Sequence, residues 1–445
     1  MDAPLSAIST RQRRLLIDTI ALGVVGAIGA QVFNALLGAS AFVFLQKIAG
    51  YVAPGLPNEG GALHEIIGRR GFWLVPVVMT IGGLLVGILT TRFAPEAEGH
   101  GTDTVIKAFH RDDGRIRARV PFVKLVASAI TIGSGGAAGR EGPMALITGG
   151  LGSWYATITR RARDRRLLLL VGMSAGLSAI FRSPIGAALF SVEILYAGME
   201  FEPHALLYTT IGAIVAYAVN GMFVGFQPLF RVSPFVGQLT GPLSYLWYIA
   251  LGIAAGLLAT ALPLVFYGAR DFFRSLRVPA WTRPAIGALL TGVIALVFPK
   301  VIGGGYGWMQ EAIDGTLALS ALAALVIAKM VAMSCTIGSG GSGGVFAPTL
   351  FVGAMLGGAC AAVFHQPAAP FVIVGMAAVF AGAAHVPIAT MMMVTEMTGG
   401  YSLLVPATLA VVISYLVQVR LSARLSYKSV YEAQVASSAA AAGSG

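Results

Sequence analysis

Long apolar stretches, separated by short polar segments, run through nearly the whole chain. They lie roughly at 16–48, 72–93, 143–158, 167–197, 204–226, 245–268, 284–299, 318–336, 345–363, 370–395 and 403–421. Because a straight membrane span needs about 20 apolar residues, this pattern predicts ten or more membrane helices. Some stretches are too long or too short for one span, and Gly and Pro interrupt them, so we expect tilted, broken and re-entrant helices.

The composition excludes a water-soluble protein. Of 445 residues, 56% are hydrophobic and 11% are charged, whereas soluble domains carry about 25% charged residues. The chain is therefore predicted to be an all-α integral membrane protein that contacts lipid and crosses the cell membrane several times.

The net charge of +11 does not indicate a nucleic-acid partner. The basic residues form short clusters between apolar segments, which is typical of positive-inside anchors. The largest clusters are Arg11, Arg13 and Arg14, then Arg160, Arg161, Arg163, Arg165 and Arg166.

Enzyme chemistry is not indicated. The sequence has no HExxH zinc motif, no Walker-type phosphate loop, and two cysteines that both lie in apolar surroundings, Cys335 and Cys360. We therefore expect no cofactor and no metal. The polar start of the chain also lacks the pattern of a cleaved signal peptide.

The chain contains an internal duplication. TIGSGG at 131–136 recurs unchanged at 336–341, and an offset of 203 to 205 residues relates further matched positions. These pairs are Pro95 with Pro299, Lys124 with Lys329, Pro184 with Pro387, and Glu193 with Glu396. We predict one membrane domain, 1–435, made of two repeats at about 70–230 and 275–425, with 436–445 as a flexible tail or expression remnant.

Each repeat has its strongest helix break at the same place, a Gly-Ser-Gly-Gly segment followed within a few residues by proline. Glycine leaves backbone N–H groups accessible, and proline suits the first turn of a new helix. Two helix N-termini directed at one cavity form a site for an anion. The alternative is that these glycines only allow close helix packing; their duplication before proline favours anion binding.

These segments also resemble known signatures. Gly139-Arg140-Glu141-Gly142-Pro143 is similar to the GREGP motif of the CLC family of chloride channels and chloride/proton antiporters, and residues 344–348 resemble its GxFxP motif. The resemblance extends from about residue 20 to 435. It implies an inverted-repeat helical fold, a homodimer with one pore per subunit, and transport of chloride, in most cases coupled to protons, without a cofactor.

The resemblance also implies roles for individual residues. Glu141 would be the external gating glutamate and proton acceptor, and the family pattern places anion-binding N–H groups at Gly142, Val345, Phe346 and Ala347. Physical chemistry supports the role of Glu141: an ionised carboxylate at a helix N-terminus competes with chloride for the same donors, and protonation removes that competition. The alternative for Glu141 is a structural ion pair with Arg140.

Two positions depart from the family. The serine of the GSGIP signature is replaced by His100, whose imidazole either donates to the anion or turns away from it. The second of two adjacent acids on the internal proton path is replaced by Ile194, while Glu193 matches the first. Glu193 is therefore a candidate for the proton path or, with its repeat mate, a cap of a helix end. Ile194 leaves a passive chloride channel as the alternative function.

The inner gate of the family is a tyrosine. Tyr431 and Tyr427 both fit, and the sequence around Tyr431 resembles the family pattern better. The alternative for either tyrosine is an aromatic anchor at the membrane interface.

Overall fold

The protein is described from a computed structural model, which covers residues 10–56, 65–68, 72–197, 202–232, 241 and 243–434. The proposed tail at 436–445 lies outside the described residues.

Helices form almost all of the regular structure. In the first half they are α1 (Thr10–Ala41), α2 (Leu74–Phe93), α3 (Thr102–Arg111), α4 (Arg119–Gly133), α5 (Glu141–Ile158), α6 (Arg165–Phe181), α7 (Pro184–Glu193) and α8 (Pro203–Val224). In the second half they are α9 (Ser244–Ser275), α10 (Arg283–Val297), α11 (Tyr306–Ile313), α12 (Leu319–Gly338), α13 (Phe346–Phe364), α14 (Ala368–Ala384), α15 (Pro387–Thr398) and α16 (Leu404–Ser422). The predicted all-α membrane fold is confirmed.

Strands are a minor addition that the sequence did not suggest. β1 (Tyr51–Val52) and β2 (Ile66–Ile67) pair antiparallel. Before them, α1 continues as a π-helical segment, Phe42–Ala49.

The number of full-length spans is smaller than predicted. Eight helices among the described residues are long and apolar enough to cross a membrane, not ten or more. Other apolar sequence forms shorter helices, such as α7 and α14. Arg182 and His385, both in the left-handed conformation, end α6 and α14. Two residues later, Pro184 and Pro387 begin α7 and α15.

The order of helices repeats between the halves. α2 to α8 correspond to α10 to α16, and each series is preceded by a helix of 32 residues, α1 or α9. Packing repeats as well: α5 packs on α6 as α13 packs on α14, and α1 packs on α8 as α9 packs on α16. The structural correspondence therefore begins near residues 10 and 244, before the bounds of 70 and 275 at which similarity in sequence becomes visible.

Burial separates inner from outer helices. In the most apolar 18-residue segment of α13, 72% of the residues are buried inside the protein, compared with 33% in the corresponding segments of α1 and α8. The outer helices expose apolar side chains such as Ile28, Leu207 and Phe223, as expected for surfaces in contact with lipid.

Two of the basic clusters lie at one end of this bundle. Arg11 at the start of α1 contacts Asp164, between α5 and α6, at 2.5 Å, and Arg161 in the same loop pairs with Asp18 at 3.2 Å.

Candidate anion site

The two helix breaks meet in the centre of the protein. The amide of Gly139 donates to the carbonyl of Gly344 and the amide of Gly344 donates back to Gly139, both at 2.7 Å. A Cβ atom on Gly344 would lie 2.8 Å from the amide nitrogen of Gly142. The N-termini of α5 and α13 are therefore in direct backbone contact, and glycine is needed for that approach.

A third loop joins them. The carbonyl oxygen of His100 lies only 2.3 Å from the position a Cβ atom on Gly142 would take, and the amide of Gly343 donates to the carbonyl of Gly99 at 3.1 Å. The loop before α3 thus packs on the starts of α5 and α13. Three N-terminal ends with their partial positive charges converge here, which favours an anion.

The sequence-predicted amide donors all lie at this junction. Val345 precedes the first turn of α13, Phe346 and Ala347 form that turn, and Gly142 is in the first turn of α5. Each is fully or almost fully buried. The ring of Phe346 packs on Phe181 and Phe380, at 4.5 and 4.2 Å between centroids, which fixes the start of α13.

Glu141 is the first residue of α5, and its carboxylate lies at the junction. The side chain is 1% exposed. Glu141 Oε2 and the amide nitrogen of Ala347 both lie close to Gly139. A Cβ atom on Gly139 would be 2.1 Å from the first and 3.1 Å from the second. The carboxylate therefore occupies the space beside the N-terminus of α13, where an anion would otherwise bind.

A residue that sequence reasoning missed holds this carboxylate. The phenol of Tyr306, the first residue of α11, donates a hydrogen bond to Glu141 Oε1. The guanidinium of Arg140 lies over the Tyr306 ring at 5.1 Å, so Arg140 supports the phenol, and its Nη1 donates to Asn34 at 3.3 Å. Tyr306 follows Gly305, which is matched to Gly101 by the repeat offset, but nothing in the sequence indicates that a phenol there reaches Glu141.

Two buried lysines hold the loops that carry His100 and Tyr306. Lys124 Nζ donates to the carbonyls of Ala97 and Gly99 at 3.1 and 2.6 Å. Lys329 Nζ makes the equivalent bonds to Val301 and Gly303 at 2.7 and 2.6 Å. A buried cationic side chain that pairs with backbone carbonyls is a recurrent arrangement in membrane proteins.

The comparisons with known proteins agree with this geometry. A model of the voltage gated chloride channel family matches residues 82–419. The chain belongs to this family. A ClcB-like chloride channel protein of Ralstonia nicotianae is 30% identical over 361 residues, which cover 77% of this chain and 82% of that relative. The H(+)/Cl(-) exchange transporter ClcA of Yersinia pestis bv. Antiqua is 32% identical over 350 residues, 75% of this chain and 72% of the relative.

The fold is likewise shared with solved CLC structures. The crystal structure of a CLC-type fluoride/proton antiporter, 20% identical in sequence, covers 97% of this chain and 100% of its own, with a TM-score of 0.79. The predicted resemblance to the CLC family is confirmed, and the chain is a multi-pass membrane protein.

Within this CLC fold, the imidazole of His100 turns toward an acid. His100 Nε2 lies 3.1 Å from Asp103 Oδ2, one turn along α3. His100 Nδ1 is buried and has no hydrogen-bond partner among the described residues. Nε2 is thus directed toward Asp103 and away from an anion, which agrees with the alternative that the imidazole turns away. Nδ1 remains available to the anion site.

The two candidate tyrosines occupy different surroundings. Tyr431 is 3% exposed, and its ring meets the His100 ring edge-on at 5.3 Å between centroids. Tyr427 instead donates to Asp271 at 2.7 Å and accepts from Arg270 at 3.2 Å, in a polar group near the surface. Tyr431 is therefore the tyrosine that the fold brings to the anion site.

Glu193 lies apart from Glu141 and caps a helix. Its Oε1 and Oε2 accept from the amides of Ile388 and Ala389 at the start of α15, at 3.2 and 2.7 Å. Glu396 accepts in the same way from Ile185 and Gly186 at the start of α7, at 3.2 and 2.8 Å. The two repeats exchange caps, which is the alternative role considered for Glu193. Ile194, next to it, is completely buried.

We expect Tyr306→Phe to raise chloride flux at neutral pH. Loss of a hydrogen bond to a carboxylate costs about 1.5–3 kcal/mol, so chloride should displace Glu141 about ten- to a hundredfold more readily. Chloride efflux from proteoliposomes measures this. Tyr155→Phe is the matched control, because Tyr155 also donates to a carboxylate, Asp18, at 2.8 Å. Equal flux in wild type and Tyr306→Phe would contradict the role of Tyr306.

If Glu193 acts as a cap, Glu193→Gln and Glu396→Gln should behave alike. Each should lower the free energy of unfolding by about 1–3 kcal/mol, because Glu193 accepts two amide hydrogen bonds and Glu396 accepts two amide hydrogen bonds and one from the Ser183 hydroxyl. Thermal unfolding in detergent measures the loss, with the partly exposed Glu311→Gln as control. A loss of proton flux in Glu193→Gln but not in Glu396→Gln would instead place Glu193 on a proton path.

Proposed function

We propose that this protein exchanges anions, chloride foremost, for protons across the membrane, with Glu141 as gate and proton acceptor. The observation that carries the proposal is the position of the Glu141 carboxylate at the junction of two helix N-termini. When ionised, the carboxylate blocks the site; when protonated, it loses its attraction to the amides and to Tyr306 and leaves room for an anion. Proton binding and anion passage are then linked at one residue.

The relatives support exchange over passive conduction. Both ClcA of Yersinia pestis bv. Antiqua and the structurally similar fluoride/proton antiporter are described as proton-coupled. The relative from Ralstonia nicotianae is described as a chloride channel protein. The observation in this chain that favours a channel is Ile194, which stands at the position of the internal acid. We propose antiport, because these relatives are proton-coupled and the Glu141 carboxylate at the junction of the two helix N-termini supplies a group that can bind a proton.

We further propose a transporter rather than an enzyme, with no cofactor and with chloride and protons as the transported ions. Gly142, Val345, Phe346 and Ala347 would supply amide donors to the anion, and Tyr431 would close the site on the inner side. Because relatives come from bacteria, we propose the bacterial inner membrane as the location.

We also propose a homodimer with one pore per subunit, as the family resemblance implies. The anion site supports the second part of this proposal, since the groups described at it, from His100 and Glu141 to Phe346 and Tyr431, all belong to a single chain.

Purified protein in liposomes should drive protons uphill when a chloride gradient is imposed, and Glu141→Gln should abolish this proton movement while chloride still passes. The glutamine side chain cannot carry the proton and has no charge to block the site. A pH electrode and a chloride electrode record both fluxes, with Glu311→Gln as control, and fluoride in place of chloride tests the anion preference.

A reversal potential fixed at the chloride equilibrium value, independent of pH, would establish a passive channel and overturn antiport. Unchanged proton flux in Glu141→Gln would remove Glu141 as the proton acceptor.

A further inference from the structure

His100 and Asp103 form a carboxylate–imidazole pair beside the anion site. Their closest atoms, Nε2 and Oδ2, are 3.1 Å apart, and the His100 side chain is 8% exposed compared with 28% for Asp103. Asp103 Oδ1 also accepts from the amide of Ala433 at 3.2 Å. A carboxylate at Nε2 fixes the ring orientation and stabilises the protonated imidazole.

The pair connects a polar cavity with the anion site. A cavity of about 280 Å³ is lined by both residues. On the other side, the His100 ring contacts Tyr431, and the His100 carbonyl oxygen lies 2.3 Å from the position a Cβ atom on Gly142, next to Glu141, would take. His100 Nδ1, buried and without a hydrogen-bond partner among the described residues, is the nitrogen available to the site.

Other charged groups face the pair from each neighbouring element. α9 contributes Tyr267, Arg270 and Arg274, the segment after α16 contributes Glu432, and the loop before α3 contributes Glu98. Arg270 is paired with Glu432, while Lys124 of α4 is committed to the carbonyls of Ala97 and Gly99. Among these groups His100 alone is an imidazole, the side chain that most often serves in proton transfer.

The two positions expected on the internal proton path, Glu193 and Ile194, offer a poorer carrier than an imidazole. Ile194 has no titratable group. The Glu193 carboxylate accepts two amide hydrogens of α15, at 3.2 and 2.7 Å, so using it as a carrier would uncap that helix.

We propose that His100, held by Asp103, carries protons between the inner cavity and Glu141. A water molecule that enters the anion site from the cavity gives one proton to Nδ1, and hydroxide returns to the cavity. The ring becomes an imidazolium, which pairs with the Asp103 carboxylate through Nε2–H. Nδ1 then releases that proton to the Glu141 carboxylate, and the neutral imidazole is restored. The inference rests on the proposed antiport and names the residues that supply its protons.

The test uses chloride-driven proton transport by the full chain in liposomes. His100→Gln and Asp103→Asn should lower the number of protons moved per chloride ion by about a hundredfold or more, the usual contribution of a placed proton-transfer group, whatever the change in chloride flux itself. The number of chloride ions moved per proton should therefore rise. Glu98→Gln is the matched control, because Glu98 lines the same cavity and does not contact the imidazole.

His100→Ser, which restores the serine of the family signature, is the second variant in case His100→Gln does not fold; chloride flux shows that a variant is folded. In addition, wild-type proton flux should rise as the pH on the cavity side falls, and Asp103→Asn should shift this dependence to lower pH. A purely structural pair would lose chloride and proton flux together.

The outcomes separate the two proposals. If wild type pumps protons, Glu141→Gln does not, and the His100 and Asp103 variants pump at the wild-type rate and ratio, the role of His100 is overturned and antiport stands. If wild type moves no protons, antiport fails and the role of His100 fails with it.

Discussion

The mutual backbone pairing of Gly139 and Gly344 is the contact on which the rest of the structure depends. Inside a membrane, a helix N-terminus with free N–H groups carries a high cost unless something accepts from them. Here two such ends are brought together, and their remaining donors face one small space. The groups that can satisfy them there are the Glu141 carboxylate and an anion, and competition between the two is the physical basis of a gate.

The duplicated sequence stabilises this centre by exchange between the halves. Thr131 accepts from the Ser342 amide at 3.2 Å, and Thr336 accepts from the Ala137 amide at 3.1 Å. Glu193 and Glu396 exchange helix caps in the same manner. Because each half satisfies polar groups of the other, the pore is built at the interface of the repeats, and neither half would be complete alone.

Departures from exact repetition provide the function. Glu141 and Phe346 occupy matched positions: one is a carboxylate buried at the junction of the helix N-termini, and the other is an aromatic side chain that anchors α13 on Phe181 and Phe380. His100 and Tyr306 likewise stand on loops held by equivalent lysines. A symmetrical scaffold therefore presents an acid with a phenol on one side and an imidazole with a carboxylate on the other, which gives the anion path two chemically different ends.

The sequence by itself determined the membrane class, the duplication, the family and the position of Glu141 at a helix start. Composition, repeat offset and glycine-proline breaks can all be read from the order of residues along the chain. Only the tertiary structure decided which groups touch. It joined Tyr306 to Glu141 across 165 residues, gave Glu193 its partners in α15, and placed Tyr431 rather than Tyr427 beside His100. The tertiary structure also decided the direction of His100. The spacing of three residues allows a contact with Asp103, and in the folded protein the ring makes that contact while packing against Tyr431. Such contacts depend on side-chain direction and on loops held by distant lysines, and no local pattern encodes them.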